Sequence, residues 1–233
     1  MLKKMLPMAF LMACCLNVAA DEADIRKMME AKLGTKVESV TKSGYLGLYE
    51  VFADGNIVYT DEKGTAFIVG PLIDGKTMKN VTEERMKKLT AIRFGDLPLD
   101  RAIKQVRGDG KRVLATFEDP NCGYCKRLAK ELQKLDNITI YTFLLPILSE
   151  DSVRKSKQIW CSADRAGTWN DWMLDGKAPS GREDCDTSAV AKNQEFGRKL
   201  NISGTPTMFF ANGERIPGAI PLARIEQKLN QAK

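Results

Sequence analysis

The sequence predicts a mixed α+β and α/β chain in two parts. A small unit of one helix and an antiparallel sheet comes first, then a polar linker helix, then a larger domain with helices on the faces of a mixed sheet. Three patterns predict this. Short strand-like runs separated by turn formers fill residues 37–70, and a helix-forming stretch with almost no apolar face follows at 80–94. From about Asp100, strand and helix patterns alternate and end in a hairpin.

At 233 residues and 43% hydrophobic content, the chain is long enough for one ordinary domain plus a smaller one and can bury a core. Its first twenty residues, MLKKMLPMAFLMACCLNVAA, place Lys3 and Lys4 before an apolar run and end in Val18-Ala19-Ala20, small residues suited to cleavage. This is the pattern of a secretory signal peptide over 1–20, too short for a comfortable membrane span. Leu11-Met12-Ala13-Cys14 also resembles a lipoprotein cleavage box, so lipidation at Cys14 stands as a minor alternative to soluble export. Without the leader, 34 Lys and Arg face 30 Asp and Glu, a net of +4, and the charges interleave. No basic tract for nucleic acid emerges. The chain has no histidine, which excludes Ser/His and Cys/His catalysis, histidine metal sites and an imidazole proton shuttle.

In the first part, Ile25, Met28, Met29 and Leu33 fall at helical spacing and Gly34 closes the helix. The runs 37-VESV-40, 46-LGLYEVF-52, 57-IVYT-60 and 66-AFIVG-70 predict strands, with turns at Asp54-Gly55-Asn56 and Asp61-Glu62-Lys63-Gly64. Residues 21–79 form a unit small enough that pairing with a second copy would help it. In 80-NVTEERMKKLTAIRF-94, Glu83 and Glu84 each precede a lysine by four positions, and only Met86, Leu89 and Ile92 are apolar. This predicts a linker helix within 80–99, spanning about 20 Å. The domain from 100 to 233 has strands at 111-KRVLATFE-118 and 138-ITIYTFLL-145, and a helix starting in the cysteine segment with Leu128, Leu132 and Leu135 on one face. A helix-rich stretch then runs to Leu200. A hairpin follows over 206-PTMFFANGERIPG-218, with Asn212-Gly213 suited to a tight primed turn, and a last helix covers about 221–231.

The segment 70-GPLIDGKT-77 matches the phosphate-loop pattern GxxxxGK[ST]. Pro71 removes an amide, however, Leu72 and Ile73 crowd the loop, and the helix is delayed to about Val81. It reads as a surface turn. Arg107-Gly108-Asp109-Gly110 is a turn before a strand. The glycosylation sequons at Asn80, Asn137 and Asn201 arise as readily by chance as by use.

Four cysteines remain beyond the leader, an even number that suggests disulfides in an exported protein. Cys122 and Cys125, in 117-FEDPNCGYCKRLAKEL-132, sit where a strand gives way to a helix. Zinc would need two more ligands at close spacing, and Cys161 and Cys185 lie 24 positions apart with no histidine to substitute. A structural Cys122–Cys125 bridge would close too small a loop to stabilise much. A redox pair explains the position. At a helix start, unpaired amides and the helix dipole favour thiolate over thiol and make Cys122 the attacking sulfur. Cys125, one turn deeper and in register with Leu128, Ala129 and Leu132, is shielded and reacts mainly with Cys122. Gly123 and Tyr124 between them would tune the redox poise, and Asp119-Pro120-Asn121 ends the strand and offers a helix cap. Thiols alone carry this chemistry, with no cofactor and no metal. Cys161 and Cys185 read as a structural bridge worth on the order of 3 kcal/mol, with a second reactive pair as the alternative. In 203-SGTPT-207, Pro206 opens a strand, where it removes no needed donor.

Taken together, FEDPNCGYC, the Cys161/Cys185 pair and SGTPT resemble the DsbC family of periplasmic disulfide isomerases over essentially the whole mature chain. The CGYC motif is similar to the isomerase rather than to thioredoxin (CGPC), the monomeric oxidase DsbA (CPHC) or DsbG (CPYC). The resemblance implies a thioredoxin-like catalytic domain with a helical insert, preceded by a small α+β dimerisation domain and a linker helix. It implies a V-shaped homodimer whose catalytic domains face an uncharged cleft. Carried over to this sequence, Cys122 is the nucleophile, Cys125 the resolving thiol and Cys161–Cys185 the non-catalytic bridge. Thr205 and Pro206, with a cis peptide bond, form the substrate-facing loop, and Gly70-Pro71 ends the dimerisation sheet. The implied partners are misfolded disulfide-containing exported proteins and a membrane-embedded thiol reductant of the DsbD type. Glu118 receives no role from the resemblance. The alternatives are a holdase for unfolded clients with secondary redox activity, and a monomeric thiol oxidase.

Overall fold

The computed structural model describes residues 22–232. The predicted leader and Cys14 lie outside them. The chain divides after Val69 into two compact units.

The first unit is helix α1 (Glu22–Leu33) against a four-stranded antiparallel meander, β1 (Val37–Lys42), β2 (Tyr49–Ala53), β3 (Asn56–Thr60) and β4 (Phe67–Val69). Ile25 and Met29 of α1 lie four apart and meet Tyr49, Val51 and Ala53, which alternate toward the helix as strand geometry requires. Gly34, at a positive φ of 67°, closes α1 by donating its N–H to the Glu30 carbonyl at 3.0 Å. Strand β4 ends the sheet with Phe67, Ile68 and Val69 all exposed, Val69 at 80%.

In the second unit the phosphate-loop look-alike folds on itself. The Asp74 carboxylate accepts from the amides of Lys76 and Thr77 at 2.9 and 2.8 Å, and the Val81 amide donates to the Leu72 carbonyl. Amides that a phosphate would need are therefore occupied. Helix α2 (Val81–Leu89) is capped by Asn80, whose side chain accepts from the Glu83 N–H, and it buries no residue. It runs only nine residues rather than through Phe94. Beyond it, Ile92, Phe94, Leu97 and Leu99 join a cluster with Phe117, Phe143 and Phe209, because these apolar side chains gain more from burial than from extending a solvated helix.

The sheet of this unit has the order β5-β7-β6-β8-β9. Its strands are β5 (Ile103–Arg107), β6 (Arg112–Glu118), β7 (Ile138–Leu144), β8 (Thr207–Phe210) and β9 (Arg215–Pro217). β6 and β7 run parallel, and the other pairs are antiparallel. β5 is an element that the sequence pattern did not reveal: it is an edge strand with Val106 exposed, so it lacks a clear apolar alternation. Between β6 and β7 lies α3 (Gly123–Leu132), and the helical insert between β7 and β8 comprises α4 (Glu150–Cys161), α5 (Arg165–Asp175) and α6 (Ser188–Lys199). The last helix, α7, spans Leu222–Gln231.

One sheet face carries Leu114, Ile140, Met208 and Phe210 against Leu128 and Leu132 of α3 and Ile225 and Leu229 of α7. The other stacks Phe117 on Phe143 at 4.6 Å and sets it edge-on to Phe209 at 5.6 Å. In the β8–β9 hairpin only Gly213 has positive φ (83°), so the turn is not the expected primed pair at Asn212-Gly213. A Cβ on Gly213 would lie 2.6 Å from the Ile92 carbonyl oxygen, so that close approach also requires glycine.

Candidate active site

Strand β6 delivers the site. Its last residues are buried, and the chain turns through Asp119-Pro120-Asn121 into α3, with Cys122 as the N-cap residue in extended conformation. The expected cap from this tripeptide is not formed, since no side chain caps α3. The Asp119 carboxylate instead bridges two loops, accepting from the amides of Asn121 (2.7 Å), Ile147 (2.8 Å) and Leu148 (3.0 Å). The Asn121 side chain donates to Asp151 (2.8 Å) and Ser152 (3.2 Å), tying the turn to the start of α4. The indole N–H of Trp172 on α5 donates to the Pro120 carbonyl at 2.6 Å. The ammonium groups of Lys126 and Lys155 lie over its ring, 3.9 and 4.2 Å from the ring centre, within cation–π reach. The sequence patterns did not reveal Trp172, because this contact joins α5 to a loop some fifty residues away.

Cys122 and Cys125 are free thiols. The Cys122 Sγ–H donates to the Thr205 carbonyl at 3.2 Å, and Cys122 is 6% exposed. The Thr205–Pro206 peptide bond is cis, and the Pro206 carbonyl accepts from the Gly218 amide at 2.7 Å. The structure thus brings Cys122, Thr205 and Pro206 together from segments more than eighty residues apart. Cys125 is fully buried, in one cluster with Ile103, Ala129, Leu144, Ile159 and Trp169. Burial pushes its thiol far above the ordinary range, and charge on Glu118 and Cys122 raises it further. Gly123 and Tyr124 are exposed, Tyr124 at 61%. Nothing lies within 4 Å of a Cβ placed on Gly123, so steric space does not require glycine there.

Glu118 is 1% exposed, and burial pushes its carboxyl up to about 7, with the Thr116 hydroxyl pulling the other way. Cys161 and Cys185 are joined by a disulfide with Cα atoms 5.6 Å apart, remote in sequence from the reactive pair. Among the described residues, no group of three or more Cys, Asp or Glu could hold a metal ion, and no helix is long and apolar enough to cross a membrane.

A thiol at a helix N-terminus, a shielded second thiol one turn below it and a cis-proline loop against the first sulfur form a dithiol–disulfide exchange site. Comparison with known proteins agrees. Residues 99–233 match the thioredoxin-like domain family, and residues 16–83 match the disulfide bond isomerase protein N-terminal domain. The chain is 50% identical over 196 residues to the probable thiol:disulfide interchange protein DsbC of Bordetella parapertussis, covering 84% of this chain and 69% of that one. It is 28% identical to the thiol:disulfide interchange protein DsbC of Escherichia coli, covering 91% and 89%. A disulfide interchange protein from Neisseria gonorrhoeae superposes with a TM-score of 0.56 at 42% identity, covering 58% of this chain and 98% of that one. The fold is therefore a thioredoxin-like domain with a helical insert behind a small α+β domain, and the chain belongs to the DsbC family of thiol:disulfide interchange proteins.

Proposed function

We propose that this chain is a thiol:disulfide isomerase and reductase that reshuffles incorrect disulfides in exported proteins. The observation that carries this reading is the position of Cys122 at the N-cap of α3, its sulfur on the Thr205 carbonyl, with Cys125 buried behind it. Cys122, as thiolate, attacks a client disulfide. One client sulfur bonds to Cys122 and the other leaves as a thiolate. A second client thiol then attacks the mixed disulfide and completes isomerisation. Alternatively Cys125 attacks Cys122, the client leaves reduced by two electrons, and the Cys122–Cys125 pair is left oxidised. A membrane-embedded dithiol reductant of the DsbD type restores it. Thr205 and Pro206 line the client backbone, Gly123 and Tyr124 tune the pair's poise, and Cys161–Cys185 is structural.

Residues 1–20 are assigned as the signal peptide that delivers the chain to the periplasm, 21–79 as the dimerisation domain, 80–99 as the linker and 100–233 as the catalytic domain. The open edge of β4, with Phe67, Ile68 and Val69 exposed, supports homodimer formation by sheet pairing. Exposed Ile147 and Leu148, on the loop that Asp119 holds beside the reactive turn, favour a chaperone role as well. Cys122→Ala is expected to abolish reactivation of scrambled ribonuclease, and unchanged reactivation overturns the reading. A Cys122→Ala, Cys125→Ala variant that still suppresses client aggregation as well as wild type establishes the chaperone role.

A further inference from the structure

Many cations of the second unit pair with acids close by in the chain. Lys134 binds Glu131, Arg154 and Lys155 share Asp151, Lys177 binds Asp171, Arg182 binds Asp184 and Lys199 binds Glu195. Arg127, on α3 just beyond the reactive pair, departs from this pattern. It is exposed and has no acidic partner among the described residues. Its guanidinium lies instead over the ring of the exposed Tyr124, 5.2 Å from the centre. Such a contact holds a long side chain in place without neutralising its charge. Arg127 also borders a groove of about 250 Å³, which Leu128 and Glu131 of α3 share with Ala219, Ile220 and Pro221. The groove adjoins the reactive site, because Gly218, whose amide donates to the Pro206 carbonyl at 2.7 Å, directly precedes Ala219. Leu128 is fully buried, and Ala219 and Ile220 pack against the same core cluster, so the groove has an apolar floor. Its one acid, Glu131, has both oxygens on the Lys134 ammonium, at 3.1 and 3.0 Å. Arg127 is thus the uncompensated charge of an apolar groove beside the cis-proline loop.

We propose that this groove is a client subsite for an acidic side chain, in which Arg127 binds the carboxylate of an Asp or Glu close to the cysteine that Cys122 attacks. The inference deepens the function proposed above and rests on the roles given there to Cys122, Thr205 and Pro206. A guanidinium presents its N–H donors as a planar fork that matches a carboxylate. The apolar floor takes the methylene groups of the same side chain, and the restricted access of water strengthens the ion pair beyond its value on an open surface. A client strand lying on Thr205 and Pro206 turns alternate residues the same way. Only alternate client positions, on one side of the client cysteine, therefore reach the groove. The selection acts on capture: the carboxylate is seated as the client strand docks, and sulfur exchange itself needs no group from Arg127. Clients with an acid beside a wrong disulfide are captured faster than those with an amide there, and those with a lysine more slowly.

The test uses the reduced full-length protein carrying Cys125→Ser, in which the mixed disulfide on Cys122 is trapped. A single-cysteine peptide, activated as its uncharged 2-pyridyl disulfide, carries Glu, Gln, Lys or Phe in turn at each position flanking the cysteine. Capture is followed by release of 2-thiopyridine and by mass. At the favoured positions Glu should be captured about fivefold faster than Gln, the size of a good surface ion pair, and the difference should fade in concentrated salt. Adding Arg127→Gln should bring the Glu-to-Gln ratio to about one, Arg127→Lys should keep part of it, and Arg127→Glu should favour Lys instead. Lys126→Gln alters the neighbouring cation, which lies over Trp172 away from the groove lining, and should preserve the ratio. Equal capture of Glu and Gln at every position overturns the proposal alone, as does a ratio that survives Arg127→Gln or is lost in Lys126→Gln. Faster capture of Phe than of Glu at the favoured positions also overturns it, by making the groove an aromatic site. Absence of any peptide adduct on Cys122 overturns the assignment of Cys122, and the proposal with it.

Discussion

Cys122 occupies the N-cap position of α3, whereas Cys161 is the last residue of α4, and this opposite placement separates the two cysteine pairs. Negative charge is favoured at a helix N-terminus and disfavoured at its C-terminus, so a reactive sulfur suits the first position and an uncharged disulfide suits the second. Their surroundings follow the same division. Lys126 and Lys155 lie over the Trp172 ring beside the reactive turn, while Glu183, Asp184 and Asp186 border Cys185. Acidic neighbours discourage thiolate attack on the second pair. Loop size completes the contrast. Cys161–Cys185 spans 24 positions and ties α4 to the segment before α6, whereas the reactive pair spans a single helical turn and contributes little to chain entropy. On the function proposed above, catalyst and staple differ in which helix end holds the sulfur and in what the pair encloses.

The strongest test of this contrast removes each pair in turn. Loss of Cys122 should eliminate interchange activity with little change in urea unfolding. The Cys161→Ala, Cys185→Ala double variant should keep most activity per folded molecule yet lose on the order of 3 kcal/mol of stability. Activity lost in both, or stability lost in both, would erase the distinction.

The next test concerns the acid beneath the reactive pair. Glu118 has a folded-state value of about 7, above its ordinary 4.5, so it binds a proton more tightly in the folded protein. Its stabilising contribution is therefore complete below about 4.5 and lost as pH rises through about 7. Unfolding free energy should fall by on the order of 3 kcal/mol across that window, and Glu118→Gln should remove the fall. A wild-type stability that is flat from pH 4.5 to 7.5 would show the carboxyl to be ordinary.

A smaller effect is expected at Trp172. Trp172→Phe keeps a ring for the two lysines but deletes the donor to the Pro120 carbonyl, and should cost about 1 kcal/mol in urea unfolding. No cost would mean that the turn is held by Asp119 and Asn121 alone. The smallest effect is expected at Gly123, which is exposed, helical and free of steric neighbours. Gly123→Ala should leave stability unchanged or raise it by a few tenths of a kcal/mol. Any change in the pair's equilibrium with glutathione then reports on redox poise rather than on folding.

Much of this was legible along the chain. The CxxC at a strand-to-helix boundary, the meander of the first unit and the helical insert all have local signatures: spacing, alternation and turn residues. What was not legible has a physical reason in each case. β5 is an edge strand whose apolar side chains are few and partly exposed. Asp119 looked like a helix cap, but its oxygens are taken by the amides of Asn121, Ile147 and Leu148, two of them from a loop that only folding brings near. Asn212-Gly213 looked like a primed turn, yet the approach of Ile92 and a single positive φ define the bend.

By itself, the order of residues determined where helices and strands form, which cysteines are two apart, and that no imidazole is present to move protons, because these depend on neighbours in the chain. Tertiary structure decided which groups share space: Thr205 against Cys122, Trp172 against Pro120, and Glu118 beneath α3 with an oxygen left unbonded. The first two contacts join segments more than fifty residues apart. Their energies come from burial and desolvation, which exist only once the sheet and its covering helices have closed over them.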